Sequence, residues 1–286
     1  MQIKMEKVKD NIYVETEYLG CNPSFVVTAS GIVMIDAPGL RPLEALAWKK
    51  EIARFGEVSY IINTDHHWDH TLGNYFFDGD FILHEGTAKR FLAEDRADAC
   101  KKYIRVFDPA SEHFLEHYFV KRPRFTYSDR MGFYFGGEVF ELVHIHGHTE
   151  DETLVYMPLK KVVFSGDNVC TIGIPNLSES YPTEWLKALD DLETLEIDVL
   201  IPGHGKVGNK DSIRQFRAQF VGLMDQVKGK MDQGWSREQI VREVSYEDNI
   251  HRDYPPSTAE RFHQVMKLGI GRLYDVLTSS MLKAER

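Results

Sequence analysis

The stretch Asn63-Thr64-Asp65-His66-His67-Trp68-Asp69-His70 restricts what this chain can become more than any other. It packs three histidines and two carboxylates into six consecutive residues, directly after the apolar run Val58-Ser59-Tyr60-Ile61-Ile62. A strand that delivers such residues into a short loop can aim side chains of alternating parity at one point. Imidazole and carboxylate together suit Zn²⁺, Fe or Mn²⁺. A single histidine in a polar turn is ordinarily a hydrogen-bonded turn residue, but five such donors together call for a metal. Three further donors lie downstream: His148 in Gly147-His148-Thr149, Asp167 in Ser165-Gly166-Asp167 and His204 in Pro202-Gly203-His204-Gly205.

These four motifs, in this order, resemble the metallo-β-lactamase fold superfamily, whose signature is H-x-H-x-D-H, then G-H-T, G-D and P-G-H-G, each at the end of a strand. The resemblance puts His67, Asp69 and His70 on the third, fifth and sixth positions of the first motif, and His148, Asp167 and His204 on the later ligand positions. At the first position the chain departs from the family, with Asp65 where histidine is usual. By resemblance, Asp65, His67 and His148 bind one metal, Asp69, His70 and His204 bind another, and Asp167 bridges them. The implied cofactors are two divalent metal ions, zinc by family habit, with Fe or Mn favoured by the added oxygen donor of Asp65. If Asp65 instead turns away, a single metal at Asp69, His70 and His204 is the working centre.

With Asp65 as a ligand, three carboxylates and a hydroxide balance two divalent ions, so the centre is neutral and acidifies water less than the usual set. Asp69 is the expected catalytic residue, orienting the nucleophilic water and passing protons. Asp36, at the end of Ile32-Val33-Met34-Ile35, stands where the family carries a carboxylate that supports the metal loop.

The implied fold class is α/β (α+β), an αββα four-layer sandwich of two mixed β-sheets flanked by helices. It would occupy residues 1–208, with a helical insertion at about 85–120 and a helical C-terminal extension at 209–286 packed on the same domain. The residue patterns add detail. Residues 11–19, Ser24–Thr28 and Ile32–Asp36 read as strands. A helix is expected from Pro42 to about Phe55, burying Leu43, Leu46, Trp48 and Ile52, and a short helix after His70. Another is expected from Thr183, as N-cap, to Leu195, with Leu186, Leu189, Leu192 and Leu195 as its stripe. His113 and His117, at helical i, i+4 spacing, read as a solvated face. His144 and His146 are expected beside the centre or in solvent, where either could shuttle protons. Ser236 and Ser257 open capping boxes in the tail, whose helices could complete the core, cover the site or form a homodimer interface.

Composition narrows the partners. With 34 basic against 44 acidic side chains and a formal charge of −10, the chain lacks the basic balance that a nucleic-acid backbone demands. No run approaches ~18 apolar residues, so no membrane span is expected. Three cysteines without C-x-x-C spacing, and a start without an apolar signal core, point to the cytoplasm. The leading expectation is a hydrolase that uses a metal-bound hydroxide to cleave an ester, lactone, thioester or amide of a small-molecule substrate. Its rivals are a mononuclear iron dioxygenase acting on thiols or persulfides, and a degenerate, non-catalytic metal-binding or regulatory module.

Overall fold

Alternation along the strands decides the layering. In the computed structural model, which describes residues 3–93, 96–246 and 256–284, strand β4 (Gly31–Ile35) buries Ile32 and Met34 on one face and Val33 and Ile35 on the other. A strand apolar on both sides is stable only between two layers. It is central in a seven-stranded sheet whose order follows the chain: β1 (Glu6–Lys9), β2 (Ile12–Val14), β3 (Ser24–Thr28), β4, β5 (Val58–Ile62), β6 (Asp80–His84) and β7 (Phe125–Tyr127). Neighbours from β1 to β4 are antiparallel and from β4 to β7 parallel. The second sheet has the order β12-β11-β10-β9-β8, from β8 (Arg130–Phe135), β9 (Glu138–His144), β10 (Thr153–Met157), β11 (Val162–Phe164) and β12 (Val199–Ile201); only the β11/β12 pair is parallel.

The sheets meet through Val33, Ile35 and Ile62 on one side and Phe140, Leu142, Val155 and Phe164 on the other. Outside the first sheet, α1 (Pro42–Ile52) packs Trp48 and Ile52 against Phe25, Ile32 and Met34. Outside the second, α5 (Pro182–Thr194), α6 (Lys210–Asp232) and α8 (Ala259–Ala284) cover Leu154, Tyr156, Val163 and Leu200. The result is the αββα sandwich. The tail shares this core, since Phe216, Phe220, Met266, Ile270 and Leu273 cluster with Trp185 and Leu189. Among the described residues no helix is long and apolar enough to cross a membrane.

Several local expectations change. The strand expected over 11–19 is only β2, preceded by β1. In α1 the buried face carries Ala45, Trp48 and Ile52, while Leu43 is exposed. Pro182 starts α5, which moves the N-cap from Thr183 to Tyr181, and the buried face centres on Trp185, Ala188, Leu189 and Leu192. A missing N–H costs nothing at a first helical position. The short helix expected after His70 starts before it, as α2 (Trp68–Thr71), and a 3₁₀ turn follows at Leu72–Phe76. The insertion is α3 (Glu85–Phe91), α4 (Arg96–Phe107) and a 3₁₀ segment at Pro109–Leu115, so His113 and His117 are exposed but not on an α-helical face. Ser236 does form its capping box with Gln239 at the start of α7 (Arg237–Glu243), whereas the Ser257 side chain lies outside the described residues.

Phe220, on α6, is fully buried against Trp185 of α5 in the core outside the second sheet. Phe220→Ala is expected to cost about 3–5 kcal/mol by emptying that volume, measured as a lower urea midpoint with secondary structure retained.

Candidate metal centre

Five loops deliver polar side chains to one edge of the sandwich. Asp36 follows β4, Asn63–His70 follows β5, His148 lies between β9 and β10, Asp167 follows β11, and His204 follows β12. The Asp36 carboxylate accepts from the Thr64 amide (2.8 Å) and hydroxyl (2.8 Å) and pairs with His70 Nδ1 (2.9 Å). That leaves His70 Nε2 buried, without a hydrogen-bond partner, and 3.4 Å from Asp167 Oδ1. His204 is fixed the same way: Nδ1 donates to Gly20 O (3.1 Å), while Nε2 faces Asp69 Oδ2 (3.2 Å) and Asp167 Oδ2 (3.2 Å). Histidine anchored through its outer nitrogen and open at its inner one is the usual arrangement of a metal ligand.

Asp65 points into the site. Its Oδ1 accepts from the His67 amide (3.0 Å), and its buried Oδ2 pairs with His67 Nδ1 (2.7 Å) and lies 4.0 Å from His148 Nε2. His148 Nε2 lies 3.0 Å from His67 Nδ1 and 3.5 Å from Asp167 Oδ2. Two groups of donor atoms, Asp65/His67/His148 and Asp69/His70/His204, therefore each fall within 4.8 Å of one another, with Asp167 reaching toward both. The orphaned inward nitrogen of His70, and a buried donor set of imidazoles and carboxylates, fit divalent metal ions. Gly203 makes this packing possible, since a Cβ there would collide with Asp167 Oδ1.

Charge is concentrated here. Burial alone would raise Asp65, Asp69 and Asp167, but the neighbouring histidines outweigh it and hold all three carboxyls below their ordinary range. Burial would likewise lower His67, yet Asp65 raises it to about 9; His70, against Asp65 and Asp36, is also raised well above 6.5. For His148 burial prevails and lowers it to about 4. Without metal, protons on His67 and His70 thus neutralise the carboxylates.

Sequence reading missed the supports. His66 pairs with the buried Asp151 (2.9 Å), itself held by Thr87 (2.6 Å), and its Nε2 lies 3.3 Å from Glu179. Buried Arg96 donates to His66 O (2.6 Å). Glu152 accepts from the Asp167 amide (3.0 Å), and Asn168 from the His148 amide (2.9 Å). An acidic pair after Gly147-His148-Thr149 was the one legible hint. His144 stacks on His84 (3.9 Å), and His146 is exposed near Tyr181; neither joins the donor groups. Above the centre opens a cavity of about 230 Å³, walled by Trp68 and Tyr103 on one side and by the 172–176 loop and α8 on the other.

Residues 17–204 match the sequence profile of the Metallo-beta-lactamase superfamily, and the chain belongs to that family. It is 24% identical over 220 residues to the type 2 metallo-beta-lactamase of Elizabethkingia meningoseptica, covering 71% of this chain and 79% of that protein. It is 28% identical over 182 residues to the hydroxyacylglutathione hydrolase of Brucella anthropi (63% of this chain, 56% of that protein), and 23% over 163 residues to a linear primary-alkylsulfatase of Pseudomonas sp. (53% and 30%). The chain thus spans about a third to a half of the length of these last two relatives. Among solved structures it resembles a metallo-beta-lactamase from Pontibacter korlensis (TM-score 0.61, 20% identity, 77% of this chain and 99% of that one) and a sec-alkyl sulfatase (TM-score 0.68, 14% identity, 94% and 49%). These relatives are metal-dependent hydrolases as a family.

Two outcomes follow. Asp36→Asn, which weakens the hold on His70, is expected to lower affinity for one metal about 10–100-fold, read by chelator competition. In the metal-free protein, raised His67 gives stability that is complete below 6.5 and lost as pH climbs through about 9, and His70, raised in the same direction, adds to it. Calorimetry with chelator should show a falling melting temperature from about pH 7 to about pH 9.5, and metal-loaded protein should show no such fall.

Proposed function

We propose that this chain is a dinuclear metal-dependent hydrolase of a small-molecule ester, lactone, thioester or amide. The observation that carries it is the convergence of two three-residue donor groups on Asp167, which faces both. Asp65, His67 and His148 would hold one divalent ion, Asp69, His70 and His204 the other, and Asp167 would bridge. When bound, such ions acidify water and polarise the bond to be cleaved. Asp69 is the catalytic carboxylate in this reading. Its side chain is 22% exposed, against 6% for Asp167, and lines the cavity, where its oxygen can hold the proton of the attacking water and return it to the leaving group. His70 and His204 are kept open toward the ions by Asp36 and Gly20 O. The acidic chain and the small, partly apolar cavity favour a small molecule over nucleic acid.

Zinc is the first expectation for the ions. A second reading rests on the donor set of Asp65, His67 and His148, two imidazoles and one carboxylate, which also suits a single Fe(II) and oxygen chemistry on a thiol.

Metal content of protein purified without added metal or chelator decides between them, with Asp65→Ala alongside. Near two ions per chain, falling to near one in the variant, supports the dinuclear hydrolase. One iron per chain with thiol-dependent oxygen uptake would replace it by the second reading. In the hydrolase, Asp69→Asn should lower kcat by about 10²–10⁴-fold on whichever ester or lactone is turned over.

A further inference from the structure

One cation stands among the residues that line the cavity. Arg261, in the first turn of α8, is exposed and rests its guanidinium 4.8 Å from the centre of the Tyr103 ring. Tyr103 stacks in turn on Trp68 (5.5 Å), the residue next to Asp69, and Trp68 carries the Arg96 guanidinium at 4.0 Å. This aromatic wall fixes where Arg261 sits relative to the donor groups. Among the described residues no carboxylate lies within ion-pair distance of Arg261, whereas Arg90, at the rim near the same centre, is held by Glu179 (3.3 Å) and Asp151 (3.8 Å). A positive charge in the first turn of a helix is also opposed by the helix dipole. The charge is placed on an aromatic face at the edge of a cavity that the donor residues also line.

Besides the donor residues and Arg261, the lining carries an apolar group, Phe262, Val265 and Met266 from α8 with Ile172 and Ile174, and the polar Asn176, Glu179 and Thr258. A cavity of about 230 Å³ admits a small molecule. The occupant that satisfies all three zones has a polar reacting group at the donor residues, a short apolar body, and an anion at the far end. A single guanidinium in an acidic surrounding matches a monoanion better than a doubly charged phosphate, and its fork matches a carboxylate.

We propose that Arg261 binds a distal carboxylate of the substrate, so that the substrate class is a small ester, thioester or amide whose scissile group is separated from a terminal carboxylate by a short apolar chain. The class of bond cleaved rests on the hydrolase reading; the anion subsite does not.

The test uses metal-loaded protein and two ligands of one shape, hexanedioate and its monoamide 5-carbamoylpentanoate, titrated by calorimetry. Wild type is expected to bind the dianion about tenfold more tightly. Arg261→Gln should reduce that ratio below twofold, while Arg261→Lys, which keeps the charge and loses the fork, should retain a ratio of threefold or more. Equal binding by wild type, a ratio unchanged in Arg261→Gln, or no binding of either ligand would overturn the subsite. A parallel assay with the mono-4-nitrophenyl esters of the same two acids separates the two readings. No turnover of either ester with the binding ratio intact removes the hydrolase and leaves the Arg261 site standing. Turnover of both esters at equal kcat/KM by wild type removes Arg261 as the selector of substrate.

Discussion

The Asp36 carboxylate joins the fold to the candidate metal centre. It accepts three hydrogen bonds, two from Thr64 and one from His70, and so locks the loop after β5 to the end of the neighbouring parallel strand β4. Its own backbone sits at φ 56°, in the left-handed region where a non-glycine residue costs on the order of 1–3 kcal/mol. Hydrogen bonds to a charged acceptor, each worth about 1.5–3 kcal/mol, more than offset that strain. The consequence reaches outward: with His70 fixed, its inner nitrogen has one direction to face, and Asp167, His204 and Asp69 are arranged around it.

Much of this was legible because the donor residues are dense in sequence. His67, Asp69 and His70 lie within four positions, and His148, Asp167 and His204 sit beside glycines whose absence of a Cβ the packing requires, as at Gly203 against Asp167. The two-sheet layering could be read from Ile32 to Ile35, where every residue is apolar and both faces must be covered. What stayed hidden is tertiary. Arg96 and Glu179 support the loop from elements about 30 and about 110 residues away, with nothing in their local sequence to mark them. Tyr103 and Arg261 meet across a still longer span. Local errors had local causes: Pro182 set the start of α5 against the weaker preference of Thr183, and Leu43 lies off the i, i+3, i+7 face that Ala45, Trp48 and Ile52 share.

The tail illustrates how one element can serve two layers. Met266 belongs both to the core under the second sheet and to the lining of the cavity. A substitution that repacks this part of α8 therefore alters the shape offered to a ligand as well as the stability of the domain.

Asn22 has a quieter part. Its amide donates to Pro202 O (2.9 Å) and Gly205 O (2.7 Å), and its backbone N–H to Gly203 O (2.8 Å), so the loop bearing His204 hangs from the connection between β2 and β3. During synthesis that connection emerges early and waits about 180 residues for its partner, and closing so long a loop is entropically slow. The donor group of Asp69, His70 and His204 therefore comes into being only as the last strand docks. An ion held there reports a finished sandwich, and a partly folded chain offers metal no comparable foothold.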